Sequence, residues 1–143
     1  MKNSILALLL ALVVLWCGAG VAFAEEPAVA QSNHVVVYYF HTNFRCTNCH
    51  NMEKWIKELI DSDFKGEQAS GKLVLKIFNT ETKGNEHFMN DYKLFTKSVV
   101  LALVKDGKEV KFVNLAKVWE LLRSGEKFKA YVKDEISKYL KEL

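Results

Sequence analysis

The chain has 143 residues, 50% of them hydrophobic, with 20 basic and 17 acidic side chains and a formal net charge of +3. That length suits one compact domain with its own core. Charge is nearly balanced and no basic block is interleaved with aromatics, which excludes a nucleic-acid interface. The lysines read as solvated faces of amphipathic helices.

Residues 1–24 read as an export signal. Lys2 gives a minimal positive start, residues 5–16 are an unbroken apolar run, and Gly18 and Gly20 break it before the small-x-small site Ala22-Phe23-Ala24. Cleavage after Ala24 would leave an exported chain in the periplasm or another extracytoplasmic space, with no stable membrane insertion. An uncleaved anchor is the competing reading, because the apolar stretch nears the length of a membrane span. Cys17 follows Trp16 where lipidation needs a small residue, so a lipoprotein is rejected. No twin-arginine pair is present, and general secretory export is the default. N-terminal sequencing of the exported protein should begin at Glu25; a start at Met1 in the membrane fraction contradicts this.

Residues 25–33 form a short linker that holds the chain's only proline, Pro27. Residues 34–143 form the domain. With the signal removed, Cys46 and Cys49 are the cysteines that remain. Outside the cytosol such a pair cycles through, or persists as, a disulfide.

Val35-Val36-Val37-Tyr38-Tyr39-Phe40 is wholly β-branched or aromatic and predicts a buried central strand. Met52, Trp55, Ile56, Leu59 and Ile60 recur at helical spacing, with Asp61 and Asp63 near the helix end. Residues 65–72 read as a loop, 73–78 as a second strand, 86–92 as a short helix and 98–104 as a third strand. Asp106-Gly107 predicts a hairpin turn that returns as a fourth strand over 109–113. Leu115, Val118, Trp119 and Leu122 make a short amphipathic helical turn. Ser124 caps a last helix with Phe128, Tyr131, Val132, Ile136, Tyr139 and Leu140 on one face. The order is β-α-β-α-β-β-α. It predicts an α/β fold with a four-stranded mixed sheet flanked by helices. The first strands are parallel, joined through a helix, and the last two form an antiparallel hairpin.

Cys46-Thr47-Asn48-Cys49 lies between the first strand and the first helix. Residues three apart on a helix face each other at roughly 5–6 Å, within reach of a disulfide. The helix start stabilises a thiolate through its unpaired N–H groups and its dipole. Extending the apolar stripe backwards puts Cys49 on the buried side and leaves Cys46 exposed. Cys46 is therefore the expected attacking thiolate and Cys49 the resolving thiol. A structural disulfide is the bland alternative for the pair.

Neighbouring residues are candidate helpers. Arg45 is placed to hold the thiolate's charge. His50 could tune the thiols, take a proton or ligate a metal. His41 lies close enough in sequence to reach the motif. Thr47 and Asn48 can cap the helix start, and the hydroxyl of Ser98 could face the disulfide. The bland readings are a solvated arginine, histidines without a role and a turn serine.

Three functions compete. The first is a thiol–disulfide oxidoreductase or redox partner using Cys46 and Cys49. The second is a c-type haem carrier, because His50 completes a CxxCH sequence; Met89 or His87 would then supply the sixth ligand. The third is a metal-binding module at Cys46, Cys49 and His50 or His41. No cofactor is expected under the first reading, and the partner is a protein thiol or disulfide, with a membrane electron donor as one candidate.

From about His34 to Leu143 the chain resembles the thioredoxin superfamily. More narrowly it resembles the exported, thioredoxin-like ArsF-type family named for nitrophenyl-compound nitroreductase subunits. The segments that carry this are Tyr38-Tyr39-Phe40-His41 before Arg45-Cys46-x-x-Cys49, Lys97-Ser98-Val99-Val100-Leu101, Lys117-Val118-Trp119-Glu120-Leu121, and Phe128-x-x-Tyr131-Val132. No recognisable flavin or nicotinamide motif accompanies them. The resemblance implies a thioredoxin-like fold with the two cysteines at its redox site.

The chain departs from thioredoxins in three ways. The cis proline that normally precedes the third strand is missing, and Ser98 or Val99 stands there. The first strand has no buried acid, since 34–45 contains no Asp or Glu. The dipeptide between the cysteines is Thr-Asn. The backbone at Ser98 and Val99 should be trans, because a cis bond before a non-proline residue costs about 2.5–4 kcal/mol. Weak reduction of generic disulfides is expected, with better activity toward a dedicated partner.

Overall fold

The computed structural model describes residues 33–143. The expected export signal, and the expected linker up to residue 32, lie outside the described residues. The strands are β1 (His34–His41), β2 (Leu73–Asn79), β3 (Ser98–Lys105) and β4 (Lys108–Asn114). The helices are α1 (Thr47–Asp63), α2 (Lys65–Ala69), α3 (Phe88–Asp91) and α4 (Gly125–Leu140), with a 3-10 segment at Ala116–Leu121.

The sheet order is β2-β1-β3-β4. β1 runs parallel to β2, with Val35 opposite Leu73 and His41 opposite Asn79. It runs antiparallel to β3, with Tyr39 opposite Val99 and Phe40 opposite Ser98. A central strand with helices on the sheet's faces must bury both of its own faces. The unbroken run Val35 to Phe40 does so, each residue being buried.

Strand alternation divides this run between two cores. Val35, Val37 and Tyr39 join Val99, Leu101 and Leu103 beneath α1 and α4. α1 contributes Cys49, Met52, Ile56, Leu59 and Ile60, and α4 contributes Phe128, Val132, Ile136 and Tyr139. The two helices meet where Trp55 packs on Phe128, ring centroids 5.3 Å apart. Gly125 permits the close approach: a methyl group there would stand 2.7 Å from Cε2 of Trp55.

The opposite face carries Val36, Tyr38, Phe40, Val100 and Ala102, covered by Tyr92 and Leu94. α3 is a single turn, so aromatic side chains do most of the covering. The Phe78 and Phe88 rings lie 4.8 Å apart and tilted, and Tyr38 and Tyr92 lie 5.3 Å apart. The hydroxyl of Tyr92 donates to Oε2 of Glu109 at 2.7 Å, which ties the cover to β4.

Asp106 and Gly107 both have positive φ, 51° and 74°, as a two-residue type I′ hairpin turn requires. A register shift between Leu103 and Val104 bulges β4 and leaves Val110 exposed. Ser124 caps α4, its Oγ accepting from the N–H of Lys127 at 3.3 Å.

Two local expectations need correction. Residues 65–72 contain the short helix α2, closed by 68→64 and 70→66 backbone bonds. It buries no side chain, so it carries no apolar period to read. The predicted helix over 86–92 is only the turn α3. The connectivity and strand directions are otherwise as expected, and the fold is thioredoxin-like.

Candidate redox site

The two cysteines stand where β1 ends and α1 begins. Cys46 is the N-cap residue, in extended conformation with φ −84° and ψ 171°, and no side-chain oxygen caps the helix. Thr47 and Asn48 are exposed and do not cap it as expected. The Cys46 sulfur occupies the position where a capping oxygen usually sits, facing the free N–H groups of the first turn.

Sγ of Cys46 and Sγ of Cys49 are 2.8 Å apart, a short closure from the roughly 2.05 Å of a disulfide. Cys46 is half-buried and Cys49 has no exposed surface. Their acidities diverge. The Cys49 thiol and backbone N–H groups at the helix start hold the Cys46 pKa down. Burial, and the proton shared with Cys46, push the Cys49 pKa up. Alkylation of the reduced protein should therefore modify Cys46 first, and its rate should rise at lower pH than that of Cys49. Earlier labelling of Cys49, read by peptide mass mapping, contradicts this order.

Arg45 is turned elsewhere than expected. Its Nη2 bonds Oε2 of Glu53, and Glu53 in turn accepts from Nζ of Lys57 at 2.6 Å. The guanidinium also lies over the Tyr39 ring, 5.8 Å from its centroid. Burial alone would lower the Arg45 pKa, but Glu53 outweighs it and keeps the charge in place. Glu53 is held below the usual carboxylate range: burial works against ionisation, and Lys57 and Arg45 outweigh it. Arg45 thus answers a carboxylate, and the thiolate relies on the helix and on Cys49.

Tyr39 lies beneath the motif. Its hydroxyl donates to the carbonyl oxygen of Cys49 at 2.8 Å, and burial pushes its pKa up to about 12. Lys97, on the loop before β3, places its ammonium 5.7 Å from the Phe44 ring. Its charge bears on Cys49 and favours the thiolate, partly offsetting burial. Nε1 of Trp119 donates to the Lys97 carbonyl at 3.0 Å and fixes that backbone.

Ser98 opposes Phe40 at the end of β1, and its hydroxyl donates to the Thr96 carbonyl at 2.8 Å. By strand alternation it shares a face with Phe40, so Val99 is the neighbour of Tyr39 on the α1 side. Among the described residues every peptide bond is trans. His41 is bonded through Nδ1 to the Thr42 carbonyl at 3.0 Å. It lines a cleft of about 130 Å³ with Thr80, Met89, Phe95 and Lys97. His50 is exposed on the outer side of α1, in an open groove with Glu53, Lys57 and Asp61.

Among the described residues no three His, Cys, Asp or Glu side chains cluster so as to hold a metal ion. A thioether bond to haem would need access to the Cys49 sulfur, which has no exposed surface.

In the sequence Tyr39 and Lys97 stand out only as members of the segments that carry the resemblance, with no site role, and Glu53 does not stand out. For Tyr39 the signal was present: Val35, Val37 and Tyr39 alternate onto one face, and Tyr39 carries its only polar tip. Glu53 lies one turn beyond Cys49. Lys97 had no local signal, because strand pairing brings it to the motif.

No family model matches this chain, and no curated protein matches it. Among solved structures it is similar to a thioredoxin of Fasciola hepatica, at 14% identity and TM-score 0.47, over 76% of this chain and 84% of that one. It is also similar to thioredoxin O2 of Arabidopsis thaliana in the oxidised state, at 16% identity and TM-score 0.39, over 66% and 74%. Thioredoxin f2 of Chlamydomonas reinhardtii shows 20% identity and TM-score 0.38, over 65% and 77%. With TM-scores below 0.5 these likenesses add nothing to the assignment, which rests on strand order, register and the CxxC placement.

Proposed function

We propose that the chain is an exported thiol–disulfide oxidoreductase or redox partner protein that works through Cys46 and Cys49. The observation that carries this is the sulfur pair itself: 2.8 Å apart at a helix start, one thiol accessible and acidified, the other enclosed. In the reducing direction the Cys46 thiolate attacks a substrate disulfide. A mixed disulfide forms and one substrate thiolate leaves. Cys49 then loses its proton and attacks Sγ of Cys46, closing the internal disulfide and releasing the second substrate thiolate. Two electrons pass to the substrate, and the protons given up by the cysteines balance those taken up by the leaving thiolates. The reverse sequence oxidises a substrate dithiol.

The partner is proposed to be a protein. Phe44 and Phe95 are 76% and 95% exposed on the loops that flank this end of the sheet, and exposed aromatics beside a reactive group favour a macromolecular partner. The export signal would place the pair in an oxidising compartment, where a membrane electron donor could keep it reduced. Within the narrower ArsF-type resemblance, a dithiol carrier would supply electrons to a nitroreductase and would not itself reduce the nitro group.

The test is exchange between the reduced protein and a peptide disulfide, quenched in acid and read by mass. Release of reduced peptide with stoichiometric Cys46–Cys49 disulfide supports the proposal. Absence of both refutes it. Insulin should be reduced slowly, since among the described residues there is no proline, and β1 has no carboxylate, to serve the thiols.

A further inference from the structure

Polar groups around the start of α1 form one connected device. Tyr39, in β1, donates to the Cys49 carbonyl at 2.8 Å from a site with no exposed surface. Arg45, immediately before the first cysteine, lies over that same tyrosine ring at 5.8 Å. Arg45 then bonds Glu53 in the second turn of α1, and Lys57 holds Glu53 from the following turn. The loop leading into Cys46 is therefore tied to the helix on the far side of the motif, and the strand beneath is tied to the helix's first turn. Nε of Arg45 is enclosed and has no protein partner, so the guanidinium is placed by these contacts and not by its own full satisfaction.

We infer that Tyr39, Arg45 and Glu53 are positioning residues for the resolving thiol: they hold Cys49 against Cys46 and thereby set how readily the internal disulfide closes. This rests on the proposed dithiol chemistry. The physical argument is one of effective concentration. Closing the disulfide depends on how often the Cys49 sulfur is held at attacking distance, and a group fixed in geometry reacts far faster than one left to sample it. Freeing the Cys49 carbonyl, or releasing the leading loop from α1, widens that sampling. The internal disulfide then forms less readily, and a mixed disulfide on Cys46 lives longer.

Tyr39→Phe keeps the ring, its packing and the guanidinium stacking, and removes only the hydroxyl. In mixtures of reduced and oxidised glutathione, the equilibrium constant for internal disulfide formation should fall about three- to tenfold, the range one hydrogen bond's net worth allows. Cys46 mixed with glutathione should accumulate. A merely structural hydroxyl would lower the melting temperature of both redox forms equally and leave the constant unmoved, which overturns the inference. Should Tyr39→Phe fail to fold, Glu53→Gln at the outer end of the chain of contacts decides: a shift in the same direction supports the inference, and an unchanged constant overturns it. If the wild type forms no internal disulfide at all, the proposed function itself has failed. If it does and the variants match it, only this inference falls.

Discussion

Cys46→Ser is expected to abolish disulfide exchange, and Cys49→Ser is expected to stop it one step later, with the substrate trapped on Cys46. The asymmetry follows from where each sulfur sits. Cys46 has exposed surface at the helix start, and its thiolate is favoured by the Cys49 thiol and by backbone N–H groups. Cys49 is enclosed and its pKa is raised, so it cannot reach an incoming protein disulfide. It can reach only the sulfur 2.8 Å away. Incubating each variant with a partner disulfide and running non-reducing gels checks this: a covalent adduct should appear for Cys49→Ser and be absent for Cys46→Ser. An adduct on Cys49 in the Cys46→Ser protein would contradict the assignment of roles. Removing the Cys49 donor altogether raises the Cys46 pKa, so alkylation of Cys49→Ala should need higher pH than that of the wild type.

The second large effect concerns what holds α1 in place. Phe128→Ala should destabilise the fold by about 3–5 kcal/mol, the usual cost of emptying a fully buried aromatic site. Phe128 has no exposed surface, packs on Trp55 at 5.3 Å and shares a core with Met52, Ile56 and Val132. A domain of this size has only about 5–15 kcal/mol to lose, so the variant should unfold at far lower urea with an unchanged slope. The motif would suffer with it, since α1 carries both Cys49 and Glu53. A change under about 1 kcal/mol would mean that α4 does not pack on α1 as described.

Much of this was legible in the chain because local periods suffice for it. The run Val35 to Phe40 can only be a doubly buried strand. The Met52–Ile60 stripe fixes which side of α1 is inward, and extending it backwards gave the buried Cys49 and the accessible Cys46. Asp106-Gly107 specified the hairpin by turn chemistry alone. What escaped depended on pairing between distant segments or on competition between partners. The charge of Lys97 bears on Cys49 because β3 pairs with β1, and no local period near residue 97 shows it. Arg45 adjoins Cys46 in sequence but bonds Glu53, a carboxylate already held by Lys57, and spacing does not show that. Ser98 reads as motif-facing by its place in the chain. Strand alternation instead gives that face to Val99, and the serine hydroxyl is satisfied by the Thr96 carbonyl. α2 buries nothing and so leaves no pattern.

The most direct test is an equilibrium redox titration of the full protein in glutathione buffers, with the cysteine state read by acid quench and mass. A reversible two-electron transition between the dithiol and a Cys46–Cys49 disulfide is expected, with mixed disulfide confined to Cys46, and its midpoint fixes the preferred direction of electron flow. A pair that stays permanently oxidised across all buffers, or that takes up glutathione without closing the internal bond, would contradict a working dithiol at this site.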